Sequence, residues 1–152
     1  ALSRDLPMMM TAHVVFEKVD PHRPATLSPT VLGLSRSMGF KGIMVSDDLE
    51  MGALSGYDPA TLGVGIINAG AHMGLVCSKL NLFEEIREAM IREISMSSSF
   101  AENITAALGL VESWRAGLPD PTRDFPVENY SRLRDNHLVY LEGITEVTNG
   151  HI

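Results

Sequence analysis

Three short apolar runs, each followed by a stretch of helical periodicity, restrict this chain more than any other feature of its sequence. The runs are Met8–Phe16, Lys41–Val45 and Met73–Cys77. The first is bounded by Pro7 and by the turn-rich stretch Asp20–Pro24. Ser28-Pro29 reads as an N-cap followed by proline at the first helical position, and that helix should stop near Gly39. Asp58-Pro59 opens a second helix over Thr61–Ala69, ending at Gly70. Leu82, Ile86, Met90 and Ile94 place a third over Asn81–Ser95, and a fourth covers Phe100–Ala116. Short apolar strands alternating with helices predict an α/β fold with a parallel sheet, its strands buried on both faces. Both a doubly wound sheet and part of a (β/α)8 barrel fit. A whole barrel needs about 250 residues, so in a chain of 152 the barrel reading means its C-terminal portion.

Residues 1–118 therefore read as the folded α/β portion and 119–152 as a C-terminal extension. Pro119, Pro121 and Pro126 interrupt regular structure there. Tyr130–Leu141 could form a short helix, and Thr145–Ile152 reads as a loose end.

Composition excludes several partners. The formal net charge is -7, which speaks against nucleic acid and anionic membrane surfaces, since both demand basic patches. No apolar stretch approaches the ~20 residues of a membrane-spanning helix. Cys77 is the one cysteine, so no internal disulfide can form, and a reducing, cytoplasmic setting is expected.

The sharpest chemical feature is Asp47-Asp48, directly after the second strand. In parallel α/β folds the carboxyl ends of the strands form the ligand face. A carboxylate there can serve as base, nucleophile or metal ligand. Equally, Ser46 or Asp47 could cap the next helix. His13 follows the first apolar run and could face the same site, or it could be a core-edge histidine bonded to backbone. His22 reads as exposed. His72 sits at a strand entrance, opposite the candidate site, and reads as structural. The histidines show no metal-ligand spacing and Cys77 has no partner, so no zinc site and no other cofactor are expected. Gly63-Val64-Gly65 does not follow a strand and is not a phosphate loop.

Met10-Thr11-Ala12-His13-Val14, Pro24-Ala25-Thr26-Leu27-Ser28-Pro29, Gly39–Ala53 with its core Ile43-Met44-Val45-Ser46-Asp47-Asp48-Leu49, and Asn68-Ala69-Gly70-Ala71 occur in that order. Together they resemble the β-N-acetylhexosaminidases of glycoside hydrolase family 3, over roughly Pro7–Leu80. The Ser-Asp-Asp-Leu form is similar to the hexosaminidase branch; the glucosidase branch more often carries Trp after its aspartate. The resemblance implies a TIM-type barrel and retaining removal of terminal N-acetylglucosamine, typically from muropeptides during peptidoglycan recycling. It implies Asp47 as nucleophile, with His13 and Met51 lining the sugar pocket. Asp48 is then expected to cap the helix or hold the loop.

There are two departures. Where the family usually carries an acidic residue after Ala-Gly-Ala, this chain has His72. The family's acid/base histidine belongs to a segment expected ahead of Ala1. General acid catalysis is typically worth about 10²–10⁴-fold, so these 152 residues alone are expected to be a weak enzyme or none. The other expectation is a non-catalytic half-barrel, acting as an oligomerisation or interaction module that covers its exposed sheet edges by pairing.

Overall fold

The sheet is organised around its central strand. In the computed structural model, which describes residues 6–119, 131–132 and 134–137, β2 (Ile43–Asp48) lies between β1 (Met8–Met10) and β3 (Met73–Leu75). Both pairings are parallel, with Met8 opposite Ile43 and Val45 opposite Met73. A short 3-10 turn (Ala25–Leu27) and α1 (Pro29–Ser37) connect β1 to β2. A second 3-10 turn (Gly52–Leu54) and α2 (Pro59–Ala69) connect β2 to β3. Helices α3 (Leu80–Met96) and α4 (Ser98–Ala116) follow. The expected α/β class with three parallel strands is what the chain forms.

Local chemistry sets the helix ends. Ser28 Oγ accepts the Val31 N–H at 3.2 Å, and Asp58 Oδ1 accepts the Thr61 N–H at 2.9 Å. Each cap precedes a proline whose missing N–H costs nothing at that position. Gly39 (φ 94°) and Gly70 (φ 103°) follow α1 and close α2 in left-handed conformation, which side chains with a Cβ resist. Ser97 separates α3 from α4, and its hydroxyl accepts the Phe100 N–H at 3.2 Å.

The first strand departs from expectation. The apolar run to Phe16 was read as one strand, but pairing lasts only to Met10, after which Thr11 N–H makes one more bond to Val45 O at 2.8 Å. Val14, Val15 and Phe16 are 44–51% exposed, and the loop closes through the Asp20 N–H to Phe16 O at 2.9 Å. Apolar character alone does not make a strand; a strand lasts as long as its partner. Burial on both faces likewise holds for β2 through Ser46, while β1 and β3 are only partly covered. They are the two edges of the sheet in the described residues.

The core forms between β2 and the helices. Met44, Leu54, Ile66 and Phe100 lie at its centre, at most 2% exposed. Each such side chain contributes about 1.5–3 kcal/mol relative to exposure. The entrance of β2 is tied down from outside. Arg36 of α1 donates to Phe40 O at 3.0 Å and Gly42 O at 2.9 Å, and stacks on the Phe40 ring at 5.0 Å. His72 Nδ1 accepts the Met44 N–H at 2.9 Å, the structural role read from its place at a strand entrance. Burial, reinforced by the Arg36 charge, pushes the His72 imidazole down from its ordinary value.

The chain divides into two units, Ala1–Gly117 and Leu118–Ile152. In the second, residues 131–132 and 134–137 are helical. The remainder of the helix expected over Tyr130–Leu141, and the end at Thr145–Ile152, lie outside the described residues. No helix among the described residues is long and apolar enough to cross a membrane.

Two glycines should respond oppositely to one methyl group. A Cβ on Gly42 would stand 2.5 Å from Leu6 O and 2.6 Å from Pro7 O, both backbone, whereas around Gly33 in α1 nothing lies within 4 Å. Gly42→Ala is expected to lower unfolding stability in urea by about 1–3 kcal/mol. Gly33→Ala is expected to raise it by about 0.5–1 kcal/mol.

Candidate functional site

The ladder slips at the carboxyl end of β2. Val45 lies opposite Met73, but Asp48 lies opposite Leu75, so β2 uses one more residue than β3 over the same interval. The Leu75 N–H donates to the Ser46 hydroxyl oxygen at 2.9 Å, and the Leu49 N–H then rejoins Leu75 O at 2.9 Å. Ser46 is fully buried. Gly74 on the facing strand lets core side chains approach closely: a Cβ there would meet Ile66 Cδ1 at 2.6 Å and Leu49 Cδ1 at 3.2 Å. A bulge resets the alternation of side chains by one and bends the strand. Asp47 and Asp48 are the last two residues of β2, on that reset backbone.

Their roles divide. Asp47 Oδ1 accepts the Asp48 N–H at 2.8 Å, and the residue is partly exposed. Asp48 Oδ1 accepts the Glu50 N–H at 3.1 Å, which ties the loop after β2 and caps neither the Gly52–Leu54 turn nor α2. The helix-capping alternative for Ser46 or Asp47 fails. Asp58 caps α2, and the Gly52–Leu54 turn opens at Met51 with no side-chain cap.

His13 lies in the loop beyond β1. Its Nε2 is 2.9 Å from Asp48 O, and its Nδ1 is 2.8 Å from Thr26 Oγ1. Met51 is 45% exposed, and its N–H donates to the same Asp48 oxygen at 3.1 Å. All three residues singled out from the sequence therefore meet at one amino acid. Asp47 takes the Asp48 N–H, and His13 and Met51 take its carbonyl.

Sequence reasoning passed over the neighbours that fasten this region. Glu50 Oε1 accepts the N–H groups of Ser78 and Lys79 at 2.6 and 2.7 Å, and Oε2 accepts the Ser78 hydroxyl at 2.5 Å. These donors stand at the amino end of α3, where the free N–H groups and the helix dipole favour an anion. They hold the Glu50 carboxyl down at about 2, with the Lys79 N–H the largest contributor. Lys79 stands at the N-cap of α3 and provides no side-chain cap, and Glu50 supplies the acceptor from the loop after β2. Cys77, exposed at the exit of β3, has its thiol pushed up by desolvation and then by Asp48, Glu50 and Asp47. No cluster of three or more His, Cys, Asp or Glu suited to a metal ion occurs among the described residues.

Residues 1–107 match the Glycosyl hydrolase family 3 N terminal domain. A beta-hexosaminidase of Neisseria meningitidis is 38% identical over 91 residues, covering 57% of this chain and 25% of that protein. Another from Alkalilimnicola ehrlichii is 40% identical over 76 residues, 48% of this chain and 22% of that one. Among solved structures, a family 3 beta-N-acetylglucosaminidase from Paenibacillus sp. superimposes with a TM-score of 0.67 at 29% identity, over 82% of this chain and 25% of that one. The Beta-N-acetylhexosaminidase from Beutenbergia cavernae gives 0.67 at 25% identity, over 70% and 32%. The chain thus spans between about a fifth and a third of each of these relatives.

Two expectations follow from the geometry. Ser46→Ala leaves the Leu75 N–H without its acceptor and should cost about 1–3 kcal/mol in chemical denaturation. Glu50 is more acidic folded than unfolded, so its contribution is complete above its ordinary value of 4.5 and disappears as the pH falls through about 2. In acid titrations followed by circular dichroism, Glu50→Gln should therefore lose stability relative to the parent at neutral pH, and the gap should close at the acid end.

Proposed function

The chain belongs to glycosyl hydrolase family 3, and we propose that it supplies the nucleophile of a retaining β-N-acetylhexosaminidase barrel, with Asp47 as that nucleophile. The carrying observation is the position of Asp47 on a bulge at the carboxyl end of β2, with one carboxylate oxygen bonded to a backbone N–H and the residue open to solvent.

In this reading Asp47 attacks the anomeric carbon of a terminal β-N-acetylglucosamine. The C1–oxygen bond to the aglycone breaks, a general acid protonates the departing oxygen, and a glycosyl–aspartate ester forms. Water, deprotonated by the same acid/base group, then releases the sugar with net retention. The acid/base group is a histidine contributed by barrel sequence outside these residues. His13 and Met51 line the sugar site. Residues 1–118 form the barrel portion and 119–152 the extension. Muropeptides in the cytoplasm are the proposed substrates, consistent with a chain whose one cysteine stays a free thiol.

A second reading rests on a specific surface. Phe83, Ile91, Ile94 and Leu108 are 42–55% exposed and line an apolar groove of about 340 Å³ with Ile86 and Met90. Pairing of two chains would cover such a surface and the edges of the sheet. Light scattering separates the readings, because a stable monodisperse monomer argues against the pairing module.

The enzyme reading is tested on the full-length polypeptide with p-nitrophenyl N-acetyl-β-glucosaminide. Asp47→Ala should abolish p-nitrophenol release while the circular dichroism spectrum is kept, and full residual activity would overturn the assignment.

A further inference from the structure

His13 makes contacts that constrain its proton. The carbonyl of Asp48 can only accept, so the His13 nitrogen 2.9 Å from it, Nε2, carries hydrogen. In the neutral ring Nδ1 is then a bare acceptor. Its neighbour is Thr26 Oγ1 at 2.8 Å, and that hydroxyl donates to it. The Thr26 oxygen in turn lies 2.8 Å from Thr11 Oγ1, which donates to it. The hydrogen bonds run in one direction, from Thr11 to Thr26, to the imidazole, to the Asp48 carbonyl. Thr26 is 0% exposed, so water cannot replace it in the relay. The chain joins three segments remote in sequence: the exit of β1, the turn before α1 and the end of β2.

What the relay holds is the residue that orients Asp47. The Asp48 N–H is bonded to Asp47 Oδ1 at 2.8 Å. The Asp48 side chain is bonded to the Glu50 N–H at 3.1 Å, and its carbonyl to His13 and to the Met51 N–H. Rotation of Asp48 about its own φ and ψ would swing the N–H away from the Asp47 carboxylate. A carbonyl clamped by an imidazole that is itself clamped from behind resists that rotation. Both ring nitrogens are engaged by protein groups, so neither is free for a sugar hydroxyl.

We propose that His13 is a positioning residue for Asp47: as the neutral, Nε2-protonated tautomer locked by Thr26 and Thr11, it fixes the Asp48 backbone and through it the Asp47 carboxylate. The proposal rests on the reading of Asp47 as nucleophile for its catalytic meaning, but its geometry stands without turnover. It deepens the role of His13 in the sugar site, which becomes alignment of the attacking oxygen in place of a polar contact with substrate.

Nitrogen-15 NMR of the chain at neutral pH reads the tautomer directly. A protonated Nε2 with an unprotonated Nδ1 is expected; the opposite tautomer, or rapid exchange between the two, overturns the relay. Carbon-13 spectra of Asp47 then test the coupling. His13→Phe should shift the Asp47 carboxyl resonance, and His13→Gln, which retains an N–H donor, should restore most of that shift. An unmoved Asp47 signal in folded His13→Phe overturns the proposal. Where that variant fails to fold, Thr26→Val keeps the ring and removes its partner, and loss of the single tautomer is expected. In the full-length polypeptide, His13→Phe should lower kcat by about 10- to 100-fold, the scale of a misplaced reacting group, with KM little changed. A raised KM at unchanged kcat would instead mark a direct sugar contact. If Asp47→Ala keeps activity while the NMR results hold, the functional reading fails and the relay stands. The reverse pattern sinks the relay alone.

Discussion

A single hydroxyl determines how the central strand ends. Where β2 takes one residue more than β3, a backbone N–H at Leu75 faces an interrupted ladder, and Ser46 Oγ receives it. An unpaired N–H in a covered sheet costs more than most single contacts contribute. The serine makes the bulge tolerable, and Gly74 lets the Ile66 and Leu49 side chains close on the facing strand. Everything beyond follows from that accommodation. The ladder resumes where Asp48 faces Leu75 and the Leu49 N–H bonds Leu75 O, and the two aspartates end the strand with their alternation reset.

The loops after the three strands are fastened to this one strand end. The loop after β1 reaches it through His13, across 35 positions, and the loop after β3 through Glu50, across 28 and 29. Two of the fastenings use one residue of β2 twice, since Asp48 offers its N–H to Asp47 and its carbonyl to His13 and Met51. A site built this way depends on rigid elements and on side chains that are held in turn by others. Glu50 stands in for the side-chain cap that Lys79 does not provide, so the amino end of α3 and the exit of β2 are stabilised by the same carboxylate.

How much of this was legible follows from the range of each interaction. The helix starts at Ser28-Pro29 and Asp58-Pro59 were plain because capping acts over three residues. So was the turn at Gly70, set by one backbone angle. The length of β1 was not, because Met8–Phe16 is uniformly apolar while its pairing is decided by β2. The bulge was equally hidden: register belongs to two strands, and neither Ser46 nor Gly74 announces it alone. Asp47 could not be separated from a helix cap by local pattern, and only the motifs around it pointed to chemistry. The break between α3 and α4 falls within the serines 95–99, with Ser97 as the cap of α4.

The two ends of β2 carry opposite chemistry. Just ahead of the strand, the carbonyls of Phe40 and Gly42 receive the guanidinium of Arg36; where it leaves, Asp47, Asp48 and Glu50 gather within a few residues. The sheet is thus a short electrical dipole lying along its strands, made by side chains in place of the peptide dipoles that make one in a helix. Its negative pole does not fade under mildly acidic conditions, because Glu50 stays ionised down to about 2. At physiological salt that field reaches about 8 Å. It meets the exit of β3 at the Cys77 thiol, which desolvation and then Asp48, Glu50 and Asp47 make harder to ionise.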